Sequence, residues 1–203
     1  MKKNIGIIDY GIGNHNSLKK VLQKIGFNVK ISKSQEVLSN SDLILLPGVG
    51  AFSPAMQAIN ETGLNKFIVD WHFYSKPIIG ICLGMQLLAK SSSENGLNNG
   101  LGLVNINVKR LNNEGTHIGW NNIKLNKNHK NFNDFVEIKS DFFFNHSYAI
   151  PFMDNSTLFE TKYQGSSFSS LIFEKKLIGI QFHPEKSQLI GHRFLKKCID
   201  ILI

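Results

Sequence analysis

Residues 77–90 read PIIGICLGMQLLAK, and their pattern decides the fold. Pro77 to Cys82 is a short, nearly unbroken apolar run, as expected of a strand buried on both faces. Leu83 to Lys90 continues at helical spacing, so a strand hands over directly to a helix. Gly80 and Gly84 stand two residues either side of Cys82. That layout is a nucleophile elbow, a sharp strand-to-helix turn that projects one side chain between small neighbours. Free N–H groups at the helix start would favour thiolate over thiol and could bind a developing oxyanion. A cysteine at a strand end can also be a small hydrophobe; the paired glycines favour the nucleophile.

Towards the N-terminus the same alternation repeats. Ile5 to Ile8, Phe27 to Ile31 and Leu43 to Leu46 read as strands. Leu18, Val21, Leu22 and Ile25 recur at helical spacing, with Gly26 as a stop signal, and further helices run from about Pro54 and from Leu64 to Tyr74. Strands alternating with helices imply parallel βαβ units in a layered α/β sheet. Towards the C-terminus the character changes. Ser91 to Gly100 (SSSENGLNNG) reads as a turn-rich loop, and from Leu101 to Phe182 short apolar runs separated by Asn, Gly, Ser and Lys predict antiparallel strands. Gln188 to Ile203 closes as a helix with Ile190, Phe194, Leu195, Cys198 and Leu202 on one face, which makes Cys198 a core residue. The chain, 1–203, is expected to form one domain.

A nucleophilic cysteine needs a base. The strand-like Ile178 to Phe182 runs into His183-Pro184-Glu185. In an extended chain His183 and Glu185 point to the same side. Glu185 would then orient His183, which takes the thiol proton and returns it to a leaving amine. A third segment, Leu45-Leu46-Pro47-Gly48-Val49-Gly50-Ala51-Phe52, follows a strand and has the glycines that let backbone N–H groups approach an oxyanion. Asp9-Tyr10-Gly11-Ile12-Gly13 has no third glycine and completes no dinucleotide fingerprint. Seven histidines and two cysteines show no CxxC or HExxH spacing, so neither a metal nor a cofactor is expected. His15, His72, His129 and His192 have no evident partner in the sequence.

With 203 residues, 42% of them hydrophobic, the chain can bury a substantial core. No signal pattern opens it, and no run approaches the ~18 apolar residues of a membrane span. Cys82 and Cys198 form no disulfide framework, so a reducing cytoplasm is expected. The net charge is +8, yet Arg110 and Arg193 are the only arginines. Scattered lysines without guanidinium forks point to a solvated basic surface and not to nucleic acid.

GICLGMQ at 80–86 together with QFHPEKS at 181–187 resembles the class I glutamine amidotransferase family. The finer pattern is similar to its glutaminase subunits of imidazole glycerol phosphate synthase, through IDYGIGN at 8–14, LPGVGAF at 46–52, HIGWN at 117–121 and NHSY at 145–148. The resemblance runs nearly end to end. It implies a flavodoxin-like α/β fold with a central, mostly parallel sheet, flanking helices and antiparallel strands in the second half. It implies a triad of Cys82, His183 and Glu185 that hydrolyses L-glutamine through a γ-glutamyl thioester. Gly50, Gln86, Ser147 and Tyr148 would hold the substrate, and Val49, Gly50 and the N–H of Leu83 would serve the oxyanion. Trp120, Asn121 and Lys186 would face a HisF-type (β/α)8-barrel cyclase in a heterodimer. That cyclase would use the ammonia to make imidazole glycerol phosphate and an aminoimidazole carboxamide ribotide, in histidine biosynthesis.

Two positions depart from the pattern. Thr116 stands where the family commonly has Pro, and Phe143 where it has Tyr, in a region expected to face the partner. Both leave the triad intact. A paralogue supplying ammonia for amidino-sugar assembly, a stand-alone cysteine hydrolase of the same fold and an inactive interaction subunit are the alternatives to the histidine-pathway enzyme.

Overall fold

The computed structural model describes residues 2–111, 115–126, 132, 141–153 and 155–203; His129 lies outside them. The first half alternates β1 (Asn4–Ile8), α1 (His15–Lys24), β2 (Asn28–Ser32), α2 (Gln35–Ser39), β3 (Leu43–Leu46), α3 (Phe52–Glu61), α4 (Leu64–Phe73), β4 (Ile78–Ile81) and α5 (Leu83–Leu87). The second half holds β5 (Ala89–Ser92), β6 (Asn98–Asn99), β7 (Val104–Arg110), β8 (His117–Asn122), β9 (Lys124–Leu125), β10 (Asp141–His146), β11 (Tyr148–Ala149), β12 (Thr157–Tyr163), β13 (Ser166–Glu174) and β14 (Leu177–Ile180). A 3-10 turn, Pro184–Lys186, then leads into α6 (Gln188–Leu202).

Among the described residues the main sheet runs β2-β1-β3-β4-β14-β13-β12-β9. Neighbours from β2 to β14 pair in parallel, and those from β14 to β9 antiparallel. The parallel part has the doubly wound flavodoxin order, with β14 as its fifth strand. The switch to antiparallel pairing follows from connection length. A short turn between Glu174 and Leu177 joins β13 to β14 as a hairpin, whereas each parallel pair is bridged by a crossover.

Period-two alternation of strand residues divides the core into two layers. Ile5, Ile7, Leu43, Leu45, Ile79, Ile81, Ile178 and Ile180 face one side, where α1 and α6 bring Leu18, Leu22, Phe194, Leu195, Cys198 and Leu202. Ile8, Ile44, Leu46, Ile78 and Leu177 face the other, against Phe52, Ile59, Leu64, Ile68, Met85 and Leu88. Burial on both faces explains why these strands are continuously apolar. Cys198 is fully buried among its neighbours on α6, and burial pushes its thiol pKa well up. Among the described residues no helix is long and apolar enough to cross a membrane.

Two expectations need correction. The helix after Cys82 does not reach Lys90. It ends at Leu87, and Ala89–Ser92 becomes β5, pairing in parallel with β7. Leu87, Leu88 and Ala89 carbonyls accept amides from Leu101, Leu103 and Gly102, so main-chain pairing prevails over helical periodicity. The segment from Ser91 to Gly100 is likewise no simple loop. Ser91 pairs with Asn99 and Ser92 with Asn98 in a hairpin whose turn holds Asn95 and Gly96 at φ of 53° and 109°. Asn-Gly suits such a turn because both residues tolerate positive φ. The short α2, capped by Ser34 through its bond from the Val37 amide, was not anticipated.

Candidate active site

Segments leaving β3, β4 and β14 meet at the carboxyl ends of three adjacent parallel strands, where doubly wound sheets bind ligands. β4 delivers Cys82, whose amide donates to the Ile180 carbonyl at 2.7 Å. Cys82 itself sits at φ 54°, ψ −112°, a conformation that costs on the order of 1–3 kcal/mol in a residue with a Cβ. The turn can close because Gly84 lies against the end of β3. A Cβ there would collide with the Leu46 carbonyl oxygen. The helix that follows has five residues, so free N–H groups of its first turn, more than any long-range dipole, bear on the thiol.

His183 is fixed from both sides. Its amide donates to Phe143 O at 2.8 Å. The Ser187 hydroxyl donates to His183 O at 2.6 Å and accepts from the Phe143 amide at 2.9 Å. His183 Nδ1 lies 2.9 Å from Glu185 Oε1, and both side chains are buried. The two do not meet by strand alternation, as the sequence suggested. The chain turns through the 3-10 segment and swings the carboxylate round onto the ring. With Nδ1 so engaged, Nε2 is left for Cys82. Burial alone would lower the imidazole pKa, but the charge of Cys82, hydrogen bonds to Cys82 and Glu185, and the Glu185 charge together raise it to about 10. His183 is therefore held as the imidazolium at neutral pH.

Cys82 and His183 open into a cleft of about 280 Å3 lined by Val49, Gly50, Cys82, Leu83, Gln86, Glu94, Thr116, Ser147, Tyr148 and His183 among others. Every residue expected to hold substrate or oxyanion therefore lies around one space. Val49 is partly exposed, Gly50 has φ 94°, and Leu83 is the buried first residue of α5. Gln86 donates through Nε2 to the Tyr148 carbonyl at 2.7 Å and to Gln181 Oε1 at 3.2 Å. A wider hollow of about 510 Å3 beside β1 and β2 has no imidazole, thiol or carboxylate in its lining. The smaller cleft, which gathers the thiol, the imidazole and a carboxylate, is the candidate site.

Sequence reasoning overlooked three contributors. Glu94, on the β5–β6 turn, accepts the Phe52 amide at 2.8 Å and so places a carboxylate in the cleft at the start of α3. Tyr10, in the segment set aside as no cofactor loop, donates its hydroxyl to Pro47 O at 2.7 Å and braces the loop at 47–50. Burial first, then the charge of Cys82, raises its phenol pKa far above the usual range. Ser187 clamps His183 as described. The Ser-Glu-Asn-Gly turn was the available sign of Glu94, since a hairpin tip is a surface that can fold over a neighbour.

The residues expected at a partner face occupy β8, β10 and the 3-10 turn. Trp120 is about half exposed and meets Phe143 edge-on at 5.9 Å, while Lys186 Nζ lies 5.5 Å from the Phe143 ring centre. Asn121 turns inward, its Nδ2 bonded to Lys162 O at 3.1 Å and set 3.3 Å from His117 Nε2. His15 Nε2 is 3.9 Å from Asp9 Oδ1, a partner the sequence did not reveal.

Comparisons with known proteins bear on the family and the fold. The sequence profile of the family described as Glutamine amidotransferase class-I matches residues 6–201. The chain is 38% identical over 201 residues to "Imidazole glycerol phosphate synthase subunit HisH" of Halalkalibacterium halodurans, covering 95% of this chain and 93% of that one. It is 41% identical to the protein of the same name from Blochmanniella pennsylvanica, covering 98% and 100%. Among solved structures, PurLQS from Thermotoga maritima superposes with a TM-score of 0.77 at 20% identity, covering all of both chains. A glutamine amidotransferase from Thermotoga maritima does so at 0.65 and 19%, covering 99% and 82%; at such identities these two speak for the fold. Sequence match and fold together show that the chain belongs to the class I glutamine amidotransferase family, among the subunits named HisH.

Proposed function

We propose that residues 1–203 act as one amidotransferase domain that hydrolyses L-glutamine with Cys82, His183 and Glu185. The ammonia would pass to a HisF-type (β/α)8-barrel cyclase, bound in the cytoplasm as a heterodimer, that makes imidazole glycerol phosphate and an aminoimidazole carboxamide ribotide. The observation that carries the reading is His183, bonded to Glu185 on one side and raised to a pKa of about 10 by Cys82 and Glu185 despite its burial.

The Cys82 thiolate attacks the glutamine side-chain carbonyl carbon. Negative charge moves to the carbonyl oxygen, where the N–H groups of Val49, Gly50 and Leu83 receive it. His183 gives its proton to the amide nitrogen, the C–N bond breaks, and ammonia leaves a γ-glutamyl thioester. Neutral His183 then takes a proton from water as the hydroxide attacks the thioester. The C–S bond breaks and glutamate departs from the regenerated thiolate. Glu94, the carboxylate in the cleft lining, suits the substrate α-ammonium group, with the acceptor oxygen of Gln86, and the hydroxyl side at Ser147, with Tyr148, suits its α-carboxylate. Trp120, Asn121 and Lys186 form the docking face for the barrel; the exposed Trp120 and Ile118 support it, because a large aromatic beside an aliphatic side chain favours a protein contact over water.

The test is ammonia and glutamate release from glutamine by the chain with its cognate barrel cyclase and that enzyme's substrate. Wild type should be active and Cys82→Ala inactive. Hydrolysis that survives Cys82→Ala would sink the mechanism. Hydrolysis that is indifferent to the cyclase would reject this partner and point to a different acceptor.

A further inference from the structure

We infer that Thr116 is a specificity-determining residue of the glutamine site, acting through Ser147 to select substrates with a free α-carboxylate. Thr116 Oγ1 and Ser147 Oγ lie 2.7 Å apart, and both residues line the cleft that contains Cys82. They come from different strand pairs. Thr116 immediately precedes β8, and Ser147 joins β10 to β11.

The Ser147 main chain is anchored, and Thr116 directly precedes a paired strand, so the contact is not a chance meeting of loose side chains. The Thr116 carbonyl accepts the Tyr163 hydroxyl at 3.4 Å, and the Ser147 carbonyl accepts the Leu111 amide at 3.0 Å. The registers of β8 and β10 add to this, since His117 pairs with His146 directly behind the two hydroxyls.

Two hydroxyls in mutual contact have two protons between them. One is spent on the shared hydrogen bond, and one remains to be donated elsewhere. Either direction satisfies the pair in the free protein. A carboxylate in the cleft would select one: Thr116 donates to Ser147 Oγ, and Ser147 donates to the anion. A hydroxyl that accepts one hydrogen bond while giving another is polarised and donates more strongly. The pair thereby becomes a directed relay aimed at negative charge. A neutral amide offers a weaker acceptor than a carboxylate and should draw less from it.

The inference rests on the glutaminase reading, so the experiment separates the two. Hydrolysis of L-glutamine and of L-glutamine α-amide is measured for wild type, Thr116→Val and Thr116→Ser, each in complex with the cyclase. Valine keeps the shape and removes the relay donor; serine restores it. Thr116→Val should raise KM for glutamine about five- to tenfold, with kcat changed far less. It should also shrink the preference for glutamine over the α-amide by a similar factor, and Thr116→Ser should recover both. An equal loss on both substrates, or no recovery by serine, overturns the assignment and leaves the glutaminase standing. Failure of wild type to hydrolyse glutamine overturns both.

Discussion

His117 presents Nδ1 to Nε2 of His146 across 3.3 Å, and the rest of the network decides which ring donates. His146 Nδ1 lies 2.9 Å from the Tyr148 carbonyl, an acceptor, so that nitrogen bears the proton and Nε2 is free to accept. His117 Nδ1–H then donates to it, and His117 Nε2 accepts from Asn121 Nδ2 at 3.3 Å. The result is a directed chain from the edge of the proposed docking face to the Tyr148 carbonyl, which also receives Gln86.

That network needs both rings neutral. Burial lowers the His117 pKa to about 4, and burial with the nearby charge of His117 lowers that of His146 to about 3. In the unfolded chain both would titrate near ~6.5. Below that value the unfolded state takes up protons that the folded state refuses, so stability falls with acidification until the folded pKa values are reached. Urea midpoints should decline from pH 6.5 towards pH 4, and His117→Gln, which cannot titrate, should flatten the slope by about half. A midpoint unchanged over that range would contradict the assignment.

His183 works in the opposite direction. Its folded pKa of about 10 keeps it protonated well above the usual imidazole range. The alkaline limb of the rate profile should accordingly lie near pH 10 rather than near neutrality. Glu185→Gln removes a charge and weakens the bond to Nδ1, so it should move that limb downward and reduce kcat by at least tenfold. A limb that stays in place would show that Glu185 does not govern the imidazole.

Gly84→Ala inserts a methyl group where the Leu46 carbonyl already stands. Backbone cannot yield as a flexible side chain does, and a loss of ~3 kcal/mol or more is expected. Thermal denaturation should show a lower melting temperature. Residual activity should fall further than stability, since the displaced element starts one residue after Cys82.

Tyr10→Phe leaves the Pro47 carbonyl without its buried donor. The cost to stability should be ~1–2 kcal/mol. Loosening the loop at 47–50 should also lower kcat for glutamine hydrolysis while leaving alkylation of Cys82 by iodoacetamide nearly intact. Equal losses in both would mean that the tyrosine supports Cys82 itself.

The meeting of Cys82 with His183 was legible because both follow the ends of apolar strands, and the strand order brings those ends together. β1, β3, β4 and β14 are buried on both faces, which makes them visible as uninterrupted runs. Glu94 was hidden because its place depends on a contact spanning 42 residues, to the amide of Phe52. The stretch Leu87-Leu88-Ala89-Lys90-Ser91-Ser92 suits helix and strand equally, and only amides from 101–104 select the strand. The approach of Thr116 to Ser147 depends in the same way on β8–β10 register, which no local pattern encodes.

The backbone angle at Cys82 has a consequence for how this protein could decay. A residue with a side chain is held at φ 54°, and glycine would occupy that turn without strain. Cys82→Gly would therefore remove the proposed nucleophile and yet relieve the strain of that turn. Resistance to heat and competence in chemistry pull apart at this single position. A descendant freed from its reaction would find the path to inactivity running downhill.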